Sequence, residues 1–128
     1  MIDEILLVDD DDVTNFVHQH MIKIRFPNIP IRIESNGAAA LEYILKKPFN
    51  EYLILLDLNM PVMSGLDFLK AIENDVHRFN LKIYVLSSSI DLRDKHEVDA
   101  FSHVESFLQK PLRDNLLDEL INTYKIRS

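Results

Sequence analysis

The sequence predicts an α/β domain whose parallel sheet is covered by helices on both faces. Three observations lead there. Short apolar runs alternate with segments of helical period along the whole chain. The first run, Ile5-Leu6-Leu7-Val8, holds no polar residue, as a strand buried on both faces requires. The chain has 128 residues, 47% of apolar type, which matches one compact domain with a sizeable core.

After the first strand, Val13, Phe16, Val17, His20, Met21 and Ile24 recur at helical spacing and mark an inner stripe that Pro27 ends. Residues 29–33 alternate and carry Pro30 near their start, so they form a strand at a sheet edge. Gly37 opens a second helix with Leu41, Ile44 and Leu45 on one side, stopped by Pro48. Residues 52–56 form the next buried strand. Ser64 caps a third helix, with Leu66, Leu69 and Ile72 as its inner stripe and Phe68 beside it. Residues 83–86 form a fourth strand, and residues 92–101 a fourth helix with a poor apolar stripe. Phe107-Leu108 marks a short fifth strand. Pro111 suits the first turn of a last helix carrying Leu112, Leu116, Leu117, Leu120, Ile121 and Tyr124. Five strands and five helices in strict alternation, with right-handed crossovers, give a flavodoxin-like three-layer sandwich of strand order 2-1-3-4-5.

Composition removes several functions. No cysteine is present, so there is no disulfide framework and no zinc–thiolate site, which suits a reducing cytoplasm. Met1-Ile2-Asp3-Glu4 is acidic where a secretion signal is basic, and the longest apolar runs are too short to cross a bilayer. A net charge of −7 with no Lys/Arg cluster argues against nucleic acid and membrane as partners. Residues 1–128 are expected to form one domain, with no output domain attached.

In open α/β sheets, sites form beyond the carboxyl ends of the strands. After Val8 come Asp9, Asp10, Asp11 and Asp12; after Leu56, Asp57; after Leu86, Ser87, Ser88 and Ser89; after Gln109, Lys110. In the expected order these strand ends lie side by side. Crowded carboxylates need a counter-charge, and an all-oxygen ligand set favours magnesium, with manganese as the alternative. A hard metal beside a carboxylate, a lysine and a hydroxyl makes a phosphoryl-transfer site in which a carboxylate can be the nucleophile. Asp12, with Asp11, reads as a helix cap. The five histidines read as surface or filler residues.

Four pieces in order carry a family resemblance. They are Ile5-Leu6-Leu7-Val8-Asp9-Asp10, Leu55-Leu56-Asp57-Leu58-Asn59-Met60-Pro61, Val85-Leu86-Ser87-Ser88 and Phe107-Leu108-Gln109-Lys110-Pro111. The chain resembles the receiver domains of response regulators, the chemotaxis-type single-domain proteins in particular. The resemblance implies that Asp57 accepts a phosphoryl group from a phosphohistidine on a sensor histidine kinase or histidine phosphotransfer protein. It implies that Asp10 and Asp57 ligate magnesium, that Asp9 helps through water and that Asn59 adds its backbone carbonyl. Ser87 and Lys110 would hold the phosphoryl oxygens, and Phe107 would be the aromatic whose rotamer reports the state. It implies a phosphoacceptor switch rather than an enzyme, with a downstream protein docking on helix 4, strand 5 and helix 5.

Three departures stand out. Ser64 replaces the usual Asp before Gly65. His103-Val104 replace a frequent Gly-Ala, which puts the turn geometry there in question. Phe107 stands where Tyr is frequent. Rival readings are a phosphorelay intermediate, a haloacid-dehalogenase-type phosphatase, a flavodoxin-like cofactor binder and a phosphate-independent interaction module. The phosphatase needs an acid at the position of Asn59. The cofactor binder needs a loop rich in Ser, Thr and Gly where four aspartates stand.

Overall fold

The computed structural model describes residues 1–75, 78–88 and 91–124, so Ser89 and His77 lie outside the described residues. The elements alternate as β1 (Glu4–Val8), α1 (Asp12–Arg25), β2 (Ile31–Glu34), α2 (Gly37–Lys46), β3 (Glu51–Asp57), α3 (Gly65–Glu73), β4 (Asn80–Ser87), α4 (Leu92–Asp99), β5 (Val104–Gln109) and α5 (Asp114–Tyr124). All strand pairs are parallel, in the order β2-β1-β3-β4-β5. This is the flavodoxin-like arrangement expected from the alternation, with β2 at an edge.

Period-two alternation divides the apolar residues between two cores. Leu6, Val8, Tyr52, Ile54, Leu56, Ile83 and Val85 face one core, which α2, α3 and Val98 of α4 cover. Ile5, Leu7, Leu53, Leu55, Tyr84 and Leu86 face the other, under Ile22 of α1 and Leu116, Leu117 and Leu120 of α5. Each fully buried Leu or Ile contributes about 1.5–3 kcal/mol. That burial holds the strand ends, and everything mounted on them, in fixed register.

Helix starts follow ordinary cap chemistry. The Asp11 side chain accepts from Val13 N–H, so Asp11 is the cap of α1 and Asp12 lies in its first turn. Ser64 accepts from Asp67 N–H, as expected from its hydroxyl. The last helix starts at Asp114, three residues beyond Pro111, and the Lys110–Pro111 peptide is cis.

The buried faces correct the sequence reading in three helices. In α1 the buried residues are Asn15, His18 and Ile22. Val13, Phe16, Val17 and Ile24, read as its inner stripe, are exposed, Phe16 by 70%. In α2, Gly37, Ala40 and Ile44 face inward, while Leu45 points out. In α3, Phe68 joins Leu69 and Ile72 inside, and Leu66 is only half-buried. Small or polar residues occupy the inward positions of α1 and α2, so a search for large apolar side chains selects a neighbouring stripe. In α4 only Val98 is buried, in line with the poor stripe expected there.

His103 does not adopt a positive φ. Its carbonyl accepts Ile83 N–H at 3.0 Å, Val104 begins β5, and the β4–β5 ladder shifts register between Ile83 and Tyr84. Among the described residues the positive φ of a non-glycine residue falls instead on Val62, at 69°.

Candidate functional site

Register brings the strand ends together. β1 and β3 pair Val8 with Leu56, so Asp9 and Asp57 emerge from neighbouring strands. β4 and β5 pair Ser87 with Gln109, and the backbone N–H of Lys110 donates to the Ser87 carbonyl at 2.7 Å. One carboxylate oxygen from each of Asp9, Asp10 and Asp57 lies within 4.8 Å of the others. Asp9 and Asp57 are buried and Asp10 is exposed, so the cluster has a wet side.

Lys110 reaches across this cluster. Its Nζ stands 2.6 Å from Asp9 Oδ2 and 3.3 Å from Asp57 Oδ1. Burial and the charge of Asp9 push the Asp57 carboxyl above its ordinary pKa, against the pull of Lys110. Burial disfavours the Lys110 ammonium, but its hydrogen bond to Asp9 and the charge of Asp57 outweigh that and raise its pKa. One ammonium against three carboxylates leaves net negative charge. The donors are all hard oxygens, so the residues present fit a small divalent cation of the magnesium type.

Both glycines of the chain abut the segment after β3. A Cβ on Gly65 would overlap the Asp57 carbonyl oxygen, and one on Gly37 would stand 2.9 Å from the Met63 carbonyl. Their N–H groups donate to Leu58 and Met63 carbonyls, at 3.0 and 2.9 Å. This close approach seats α3 and α2 against the Asp57 loop.

The sequence-selected residues are therefore placed as follows. Asp9, Asp10, Asp57 and Lys110 converge. Ser87 is buried at the end of β4, tied to Lys110 through the backbone. Asn59 is exposed on the loop after β3, where it lines a hollow with Ser64, Asp94 and Glu97. Phe107 is buried in the core that holds Val85 and Val98.

Sequence reasoning missed two polar residues behind this site. Asn15 Nδ2 donates to the Asp9 carbonyl at 2.8 Å. His18 is buried, and its Nε2 accepts Leu112 N–H at 3.2 Å, which corrects its assignment as surface or filler. Their signal was the spacing Asn15, His18, Ile22, Phe26, a buried helical stripe half of which is polar.

Fold and site together define a phosphoacceptor domain of two-component signalling. Residues 5–122 match the response regulator receiver domain, and the chain belongs to that family. Over 120 residues it is 32% identical to the 3',5'-cyclic-nucleotide phosphodiesterase regA of Dictyostelium discoideum, covering 93% of this chain and 15% of that protein. It is 32% identical over 117 residues to the cell cycle transcriptional regulator CtrA of Caulobacter vibrioides, covering 91% of this chain and 46% of that protein. The chain thus spans less than half the length of these curated relatives. A two-component response regulator from Cytophaga hutchinsonii superposes with a TM-score of 0.82 at 29% identity, covering 94% of this chain and 95% of that one. Receiver domains are phosphoacceptor switches that meet histidine kinases or phosphotransfer proteins and downstream effectors. Among the described residues, no helix is long and apolar enough to cross a membrane.

Proposed function

We propose that this chain takes a phosphoryl group onto Asp57 from a phosphohistidine of a sensor kinase or phosphotransfer protein, and that the modification switches a protein-docking surface. The single observation that carries this is Lys110 Nζ held between Asp9 and Asp57 beside a third carboxylate. Asp10, Asp57 and the Asn59 backbone carbonyl would hold magnesium or manganese, with Asp9 acting through water. The bound ion supplies charge neutralisation.

In the transfer, an Asp57 carboxylate oxygen forms a bond to phosphorus as the phosphorus–nitrogen bond to the donor imidazole breaks. The bonding pair leaves with the imidazole. Lys110 offsets charge on the transferring oxygens, and the Ser87 hydroxyl donates to one of them. The product carries more charge and more acceptor oxygens than the carboxylate it replaces. Ser87 moves toward these oxygens, Phe107 fills the space vacated, and the face of α4, β5 and α5 changes for its partner. Only a difference in interaction between the two states can drive that change.

The receiver domain acts in the cytoplasm, as a switch rather than a turnover enzyme. A phosphohistidine protein must cover the rim of the site, and the exposed Val13, Phe16 and Val17 of α1 offer it apolar contact.

Acetyl phosphate with magnesium should add one phosphoryl group to the wild type and none to Asp57→Ala, read by intact mass. Labelling of the variant would remove Asp57 from its role. Partner affinity should change with beryllofluoride, and equal affinities would remove the switch. Return of the phosphoryl group to a phosphotransfer protein would make the chain a relay intermediate.

A further inference from the structure

Among the described residues, five polar side chains are buried: Asp9, Asp57 and Ser87 at the site, and Asn15 and His18 on α1. The α1 pair is not needed for packing, because apolar residues would serve those inward positions at no cost in desolvation. Asn15 Oδ1 is buried with no hydrogen-bond partner among the described residues, so the side chain's protein contact is made through its amide nitrogen. What the two residues share is what they grip. Asn15 Nδ2 holds the carbonyl of Asp9, the residue that pairs with Lys110. His18 Nε2 holds the N–H of Leu112, two residues after Lys110.

We infer that Asn15 and His18 are positioning residues: a polar bracket on α1 that fixes the backbone on both sides of the Asp9–Lys110 pair and so sets where the ammonium stands against Asp57. This rests on the reading of Asp57 as phosphoacceptor. The segment that bears Lys110 follows an edge strand, which has a sheet neighbour on one side only. On its α1 side lies a hollow of about 160 Å³ lined by Val13, Thr14, Val17, His18, Lys110 and Pro111. Beside this unfilled space the His18–Leu112 bond ties the segment to α1. Because Nε2 accepts, the His18 proton sits on Nδ1, and the bracket requires neutral imidazole. A displacement of about 1 Å at a charge-stabilising group can cost on the order of 100-fold in rate.

The test uses the full chain, acetyl phosphate as donor and saturating magnesium. Three variants are compared: His18→Leu, which has no acceptor; His18→Gln, whose amide oxygen reaches where Nε2 stood; and His18→Asn, whose oxygen is too short to reach. Phosphorylation of His18→Leu and His18→Asn should slow on the order of tenfold. His18→Gln should keep a rate within about twofold of wild type, and magnesium affinity should change little in all three, because β1 and β3 hold the carboxylates. If His18→Leu does not fold, the Gln and Asn pair decides alone. Wild-type rates in His18→Leu or His18→Asn, or equal slowing in His18→Gln and His18→Asn, would overturn the inference. A wild type that takes no phosphoryl group on Asp57 would instead overturn the functional reading beneath it.

Discussion

Val62 sits in left-handed backbone, at φ 69°, with its side chain in solvent. A β-branched residue gains nothing there from packing and is strained by its own Cβ, by about 1–2 kcal/mol. It stands in the loop that joins Asp57 to α3, where backbone strain collects at functional sites. Val62→Asn should therefore raise the unfolding free energy by about 0.5–1 kcal/mol in urea titrations. No gain would mean that the loop relaxes in solution. His18 gives a residue-scale prediction in pH. Burial lowers its pKa, Lys110 lowers it further and Asp9 opposes both. The unfolded chain then binds a proton before the folded one does. The stabilisation is complete above the ordinary imidazole pKa of about 6.5 and is lost as pH falls through and below it. His18→Gln should lose less stability than wild type between pH 7.5 and pH 5, and equal losses would show that His18 does not titrate in that window.

At the scale of elements, α1 shows what patterns reveal and what they hide. Its length and its end before Pro27 were legible, because apolar residues recurred at helical spacing. Its orientation was not, because the inward stripe carries Asn15 and His18 while Phe16 and Val17 look outward. α2 repeats this with Gly37 and Ala40, small residues that let the helix close on the Asp57 loop. Amphipathicity finds the face only when the core wants bulk. Where a helix must grip or approach closely, chemistry and size replace hydrophobicity. The inner strands β1, β3 and β4 were simpler, since burial on both faces leaves no side to mistake. Phe16→Ser should change stability by no more than about 0.5 kcal/mol, whereas Ile22→Ala should cost about 2–5 kcal/mol. Chemical denaturation of both variants checks this, and a reversed order would rotate the helix.

At the scale of the whole molecule, the candidate site was legible because its carboxylates, hydroxyl and lysine follow strand ends, and the strand order makes those ends neighbours. The distances were not legible, since they depend on register and on the two glycines that draw α2 and α3 inward. The burial of Asp57, and after it the crowding of Asp9 and Asp10 around it, work against folding, as the raised pKa of Asp57 records. A cation that binds only the folded chain should offset it. Magnesium at about 100 times its dissociation constant should add about 2.7 kcal/mol to wild-type stability. Asp57→Asn should start a few degrees more stable without metal, on the order of 1 kcal/mol, and gain much less from magnesium. Differential scanning calorimetry reads both effects. An equal magnesium gain in the two proteins would place the cation elsewhere.

The backbone bond from Lys110 N–H to the Ser87 carbonyl, at 2.7 Å, has a mechanical corollary. It joins the ends of β4 and β5 as a coupling rod. The hydroxyl on one strand and the ammonium on the other ride on a shared linkage. Under the proposed phosphorylation, a backbone shift at either strand end would pass to the other through this bond, and the two polar groups would approach an oxyanion in concert.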